Sequence, residues 1–126
     1  MSACATAPPI PLTAICSEER AQRLRAVVHA HDPASILTAV KAGCHQIEHG
    51  VFADDAAIAA MKAADVFFDP NIGLVLQNYI ENREKFLGVG GYTEEGFAFM
   101  ERAIPTLGPI FKKALDAGVR MPLGTD

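Results

Sequence analysis

The chain has 126 residues, of which half are hydrophobic and 21% are charged. That composition is typical of a globular protein with an apolar core and not of a disordered chain. The length predicts one domain or a piece of one. Eleven basic and fifteen acidic side chains give a net charge of −4. No cluster of Lys and Arg supplies a surface for nucleic acid, so nucleic acid is not an expected partner.

The opening of the chain, residues 1–16, is apolar and rich in proline but lacks the basic start and continuous apolar core of a signal peptide. We expect a poorly ordered leader over 1–16 and one domain over 17–126. No stretch approaches the roughly twenty apolar residues of a membrane helix, so no membrane partner is expected. Cys4, Cys16 and Cys44 are irregularly spaced. They predict neither a disulfide framework nor a cysteine zinc site, and a reducing cytoplasm is the expected location.

The first elements of the domain form a strand, a helix and a second strand. Ser17 is predicted to cap a short helix over about 18–24, which feeds an apolar strand near 27–30. Asp32 and Pro33 then have the chemistry of a helix start, and Gly43 has that of a helix end. A helical connection of this length usually joins parallel strands.

Further strand and helix signals alternate along the rest of the chain. A second strand over 44–47 and a third over 66–69 flank a helix that opens at Asp54 and Asp55. The connection over 71–92 is predicted to contain a helix over about 74–86 and to form an active-site wall. Another helix starts at Thr93, Pro105 and Pro109 are expected to break or kink it, and a last helix over 110–117 precedes a fourth strand over 119–126.

Two histidines occupy equivalent places in consecutive units of this pattern. His29 and His49 each fall at the carboxyl end of a predicted strand, where parallel β/α folds place function. A lone histidine is usually a hydrogen-bonded structural residue, but neutral imidazole is also the commonest metal ligand. Asp126 ends the fourth predicted strand. The two histidines and this aspartate therefore predict a site for a hydrolytic divalent metal.

The neighbouring polar residues are weaker candidates for the metal site. His31 shares a face with His29 if the strand persists, so it either contacts substrate or lies in a solvated loop. Strand alternation places Glu48 on the face opposite His49, which predicts a structural carboxylate. His45 is expected to be a structural histidine.

Three segments in this order, Val-His-Ala-His, Ile-Glu-His-Gly and Leu-Gly-Thr-Asp, resemble strands five, six and eight of the amidohydrolase superfamily barrel. The closest likeness is to the imidazolonepropionase-like and prolidase-like branch. The resemblance implies an α/β chain equivalent to about strands five to eight of a (β/α)8 TIM-type barrel. It also implies that His29, His49 and Asp126 bind the divalent metal, which is expected to be zinc, and that Asp126 handles the proton of the attacking water. The implied reaction is hydrolysis of a carbon–nitrogen bond in a small amide, cyclic amide or dipeptide-type substrate.

The sequence also departs from this family. No segment upstream of Ser17 carries the His-x-His pair of the family's first barrel strand, and no lysine precedes Lys41 to bridge two metals. We therefore expect the chain to be a piece of a barrel that is inactive alone. The alternative is a non-catalytic remnant that needs another half-barrel to fold, and exposed sheet edges predict a homo-oligomer. An apolar small-molecule binding module is a third reading, which rests only on the long connection over 71–92.

Overall fold

The computed structural model describes residues 11–71 and 74–124. These ranges contain six helices and three strands that mostly alternate along the chain. In chain order they are α1 (Leu12–Ala21), β1 (Val27–Ala30), α2 (Pro33–Ala42), β2 (Gln46–His49), α3 (Asp55–Ala63), β3 (Phe67–Asp69), α4 (Leu74–Glu81), α5 (Arg83–Phe86) and α6 (Glu94–Asp116).

The three strands form a parallel sheet in the order β1-β2-β3, which confirms the mixed α/β prediction. One face of the sheet is covered by helices, and there Ile47 and Phe68 are fully buried. The other face is largely uncovered, since Val27 is 49% exposed and His29 is exposed as well. A sheet with helices on one face only is the arrangement of a wall cut from a β/α barrel, in which the uncovered face lines the interior.

Side-chain caps define where three of the helices begin, as the sequence predicts. Asp32, Asp54 and Thr93 each accept a hydrogen bond from a backbone N–H three residues further on. At Asp32 the bond from the Ser35 backbone N–H, followed by that from the Ser35 hydroxyl, lowers the pKa of the carboxyl group. Gly43 ends α2 with a φ of +80°, the left-handed conformation that favours glycine.

The bounds predicted for the first helix are wrong, while the domain division itself stays a prediction. The helix begins at Leu12 and ends at Ala21, so the proposed boundary between residues 16 and 17 falls inside it. Ser17 is not its cap, because the N-cap position is Pro11 and no side chain caps the helix. The rest of the expected leader, residues 1–10, lies outside the described residues.

A disulfide joins Cys16 to Cys44, which corrects the expectation that no disulfide is present. The two Cα atoms are 5.1 Å apart, a normal separation for a bridge, and both residues are buried. The bond ties α1 to the turn between α2 and β2. The number and spacing of the cysteines did not predict this bond, because the pairing depends on how α1 packs and not on a local spacing.

The predicted break at the two prolines does not occur, since α6 is one helix of 23 residues that contains both. Pro105 and Pro109 lie four residues apart on its exposed face. The opposite face is buried along the whole helix, at Phe97, Ala103, Leu107, Ile110 and Ala114. Packing of this continuous apolar stripe offsets the hydrogen bonds that the prolines remove.

Two further predicted elements differ from the structure. The single helix expected over 74–86 is two helices, α4 and α5, separated at Asn82. The expected fourth strand is not a strand over 119–124, although the Phe68 N–H donates to the Arg120 carbonyl oxygen at 2.9 Å. That bond places the segment beside β3, as a fourth strand would be. Among the described residues, no helix is long and apolar enough to cross a membrane.

Candidate metal centre

The two predicted histidine ligands meet at the carboxyl ends of β1 and β2. His29 Nδ1 lies 2.6 Å from His49 Nε2, and the ring centroids are 4.7 Å apart. At this distance one ring donates a hydrogen bond and the other accepts it, so the two nitrogens differ in protonation. The convergence of His29 and His49, expected from their places at neighbouring strand ends, is therefore seen in the structure.

A left-handed turn after β2 aims the His49 ring at His29. In the sheet His49 is in register with Ala30, whose side chain is on the buried face. Continued alternation would send His49 to that face as well. Instead His49 and Gly50 have φ values of +70° and +51°, and the Gly50 N–H donates to the Ala30 carbonyl oxygen at 3.0 Å. The turn is thus tied to the end of β1, and His49 points toward the site.

Glu48 belongs to the same group, which corrects its interpretation as a structural carboxylate on the opposite face. It is in register with His29, so both side chains leave the uncovered face of the sheet. Its Oε2 lies 3.4 Å from His29 Nε2. Candidate ligand atoms of His29, Glu48 and His49 all lie within 4.8 Å of one another. The prediction failed because it assumed that His49 continues the strand alternation, which its positive φ interrupts.

His31 lies beside the group and His45 is used elsewhere. The His31 ring stacks on that of His49, with centroids 5.1 Å apart, and meets the edge of Phe99 at 5.5 Å. Its substrate contact stays a prediction that this position favours. His45 Nδ1 accepts a hydrogen bond from the Ala26 N–H at 3.3 Å, which fits the structural role expected of it. Asp126, the third predicted ligand, lies outside the described residues.

Sequence reasoning overlooked one polar residue near the site. Asp69 is in register with Glu48, which is itself in register with His29, so a row of three polar residues crosses the sheet. Asp69 is 3% exposed and is the only buried polar or charged residue in the part of the chain that the structure describes. The available signal was its position, because it ends the third strand, while His29 and His49 lie near the carboxyl ends of the first two.

The donor set of the group fits a divalent ion. Two imidazole nitrogens and one carboxylate oxygen are ligands that zinc accepts. Two nitrogens bound to one tetrahedral zinc ion lie about 3.3 Å apart. The histidine nitrogens, at 2.6 Å, must therefore separate by less than an ångström to hold an ion between them. His29 is exposed, so its side chain has room for this adjustment.

Replacement of Gly50 by alanine is expected to lower the free energy of unfolding by about 2 kcal/mol or more. The left-handed φ strains any residue with a Cβ, and this Cβ would lie 2.5 Å from Cε2 of the buried Phe68. Chemical denaturation measures the loss. Gly108→Ala is the matched control, since a Cβ there meets nothing within 4 Å. This helix-interior change should stabilise the protein by about 0.5–1 kcal/mol. Equal effects at the two glycines would contradict the geometry of the turn.

Several known proteins are similar to this chain in sequence and fold. No family model matches the chain. Ochratoxinase from Aspergillus niger is 30% identical over 110 residues, which are 86% of this chain and 22% of that protein. The crystal structure of A. niger ochratoxinase superposes with a TM-score of 0.75 at 27% identity, covering 96% of this chain and 27% of that one.

Two other solved structures show the same relationship. A prolidase complexed with N-methylphosphonate-L-proline gives a TM-score of 0.81 at 26% identity, and a Xaa-Pro dipeptidase with bound methionine gives 0.74 at 27%. Each match covers 91% of this chain and 27% of the chain in the solved structure. The chain thus spans about a quarter of the proteins that it matches. These relatives confirm the resemblance read from the strand-end segments: the chain is similar in sequence and fold to one part of the amidohydrolase superfamily, on its prolidase and ochratoxinase side.

Proposed function

We propose that this chain supplies part of the active site of a metal-dependent hydrolase that acts on carbon–nitrogen bonds. The observation that carries the proposal is the convergence of His29, Glu48 and His49 at the carboxyl ends of two parallel strands. The names of the relatives, ochratoxinase, Xaa-Pro dipeptidase and prolidase, support a hydrolase of this class. The proposed substrate is a small amide, cyclic amide or dipeptide-type molecule.

Each residue of the group has a proposed role. His29 and His49 present neutral imidazole nitrogens as ligands, and the Glu48 carboxylate adds negative charge beside His29. When bound, a divalent ion, proposed to be zinc, polarises the scissile carbonyl and lowers the pKa of an attacking water. His31, stacked on His49, is placed to contact substrate. By resemblance Asp126 accepts the proton of that water and returns it to the leaving nitrogen.

Catalysis is proposed to need residues that this chain does not supply. The chain spans 22–27% of the relatives that it matches, and two or three ligands alone hold an ion loosely. His29 is exposed, so an ion held here would remain in contact with water. The expected property of the purified chain is therefore metal binding, with no amide hydrolysis beyond that of the metal in solution.

Calorimetric titration with Zn²⁺ tests the proposed metal site. We expect one ion per chain, with affinity reduced at least a hundredfold in His49→Ala, which removes a ligand, and roughly tenfold or more in Glu48→Gln, which keeps the size of the side chain. His45→Gln is the matched control, because His45 is structural and should leave the titration unchanged. Equal weakening by His45→Gln, or stoichiometric binding that survives His49→Ala, would reject the site.

A second candidate function is that of a non-catalytic piece that pairs with another half-barrel. The uncovered sheet face favours it, since Val27 on that face is 49% exposed. Size-exclusion chromatography with light scattering is expected to show dimers or larger species, because an edge strand and an apolar face promote pairing. A stable monomer at high concentration would count against this candidate and leave the metal site unaffected.

A further inference from the structure

A cavity of about 390 Å³ lies beyond β3, between the end of that strand, α6 and the segment over 119–124. Its walls are mostly apolar and include Val75 of α4 as well as Phe111, Leu115, Met121 and Leu123. The volume is within the range of small-molecule sites in proteins. Among the described residues that line it, Asp69 and Asn71 have the polar side chains.

Asp69 brings a buried carboxylate to the polar end of this cavity. The residue is 3% exposed, and its Oδ1 accepts a hydrogen bond from the Asn71 N–H at 3.2 Å. Gly124 packs against the other oxygen so closely that a Cβ there would lie 1.8 Å from Oδ2. Backbone therefore approaches the carboxyl group from both sides, and the Asn71 N–H is the one donor to it that the described residues show.

No cation in the described residues forms an ion pair with Asp69. Three cations of α6 and the segment after it are paired elsewhere, since Arg120 pairs with Asp65, while Lys112 and Lys113 pair with Asp116 and Asp55. Residues 1–10, 72–73 and 125–126 contain no Lys, Arg or His in their sequence. Within the described residues, no side-chain cation therefore balances the Asp69 carboxyl group.

We propose that the cavity binds the primary ammonium group of a small apolar amine, with the nitrogen at Asp69 and the hydrocarbon body against the α6 wall. A charge-assisted hydrogen bond to a carboxylate is the interaction that such a buried acid selects. The apolar lining selects an aryl or alkyl body over a polar one. Inorganic cations fit less well, because a single carboxylate and apolar walls provide too few oxygen ligands.

The position of the cavity connects it to the candidate metal centre. Asp69 is in register with Glu48 on the adjacent strand, and neighbouring strands lie about 4.8 Å apart. An amino group held at Asp69 is therefore one strand away from the metal ligands. If the proposed function holds, the substrate is an amide that also carries a free amino group, and in that respect the inference rests on the proposed function.

Metal-free binding of benzylamine and benzyl alcohol tests the inference, since the two probes have the same shape and differ in charge. We expect calorimetry to give an affinity for benzylamine roughly ten- to a hundredfold higher than for benzyl alcohol. The amide resonances of Asn71 and Gly124 should shift on titration. Asp69→Asn should abolish the preference, while Asp116→Asn, an exposed carboxylate paired with Lys112, should leave it unchanged.

Equal binding of the two probes to the unmodified protein would overturn the inference and needs no variant that folds. Shifts confined to amides away from Asn71 and Gly124 would overturn it as well, as would unchanged benzylamine affinity in a folded Asp69→Asn protein. Because no metal is present and the readout is at the cavity, this experiment and the Zn²⁺ titration can fail independently. The two failures are therefore distinguishable.

Discussion

Reduction of the Cys16–Cys44 disulfide is expected to lower the free energy of unfolding by about 3.5 kcal/mol. The bridge spans 28 residues of sequence, and closing a loop of that length removes a corresponding amount of entropy from the unfolded chain. The structure gives α1 few other attachments. Cys16 is its only buried residue, and Arg20 donates one hydrogen bond to the Gly43 carbonyl oxygen at 2.7 Å. Loss of the bridge should therefore release α1 first.

Urea denaturation with and without a reductant measures this effect. The matched control is Cys16→Ser, which should show the lower stability in both conditions and no further response to reductant. Hydrogen exchange should become faster in α1 on reduction and change little in α6. Identical denaturation midpoints with and without reductant in the unmodified chain would show that the bridge does not form or does not stabilise the fold.

The same bridge bears on the expected location of the protein. A disulfide persists in oxidising compartments and is rare in the cytosol, where thiols are kept reduced. The cytoplasmic prediction rested on an odd number of irregularly spaced cysteines, and Cys16 and Cys44 pair nonetheless. Incubation in a glutathione buffer of cytosolic composition, followed by thiol counting, tells whether the bond survives there.

Local sequence signals predicted the parts of the fold that depend on local chemistry. Asp32 caps α2 and Gly43 ends it because a side-chain acceptor and a residue without Cβ are needed at those two places. The parallel pairing of β1 with β2 followed from the helix between them. The meeting of His29 and His49 then followed from two equivalent strand ends.

The errors have a common physical cause, which is that tertiary packing decides against a local preference. Pro105 and Pro109 are helix breakers in isolation, yet the buried face of α6 keeps the helix whole. Glu48 was assigned to the wrong face because the left-handed turn at His49 and Gly50 is held by the end of β1. Asp69 was overlooked because its burial depends on Gly124, which is far from it in sequence.

Replacement of Phe68 by alanine is expected to cost about 3–5 kcal/mol of unfolding free energy. Phe68 is fully buried, with a relative accessibility of 0%. Its ring packs beneath Gly50 and against the helices. Truncation leaves a cavity in the centre of the core. Chemical denaturation measures the loss, and the change should also loosen the turn that aims His49.

Phe67→Ala is the matched control, because it removes the same side chain from the next residue on the opposite face of the sheet. Phe67 is half-buried, and its ring lies 4.1 Å from the Arg120 guanidinium carbon. In a monomer whose second sheet face is uncovered, this substitution should lower the free energy of unfolding by about 1 kcal/mol. Most of that loss comes from the cation–π contact and the partial burial of the ring. A loss as large as that of Phe68→Ala would mean that this face of the sheet is covered in solution. If that loss depends on protein concentration, a second copy of the chain covers this face, as expected for part of a barrel that forms homodimers.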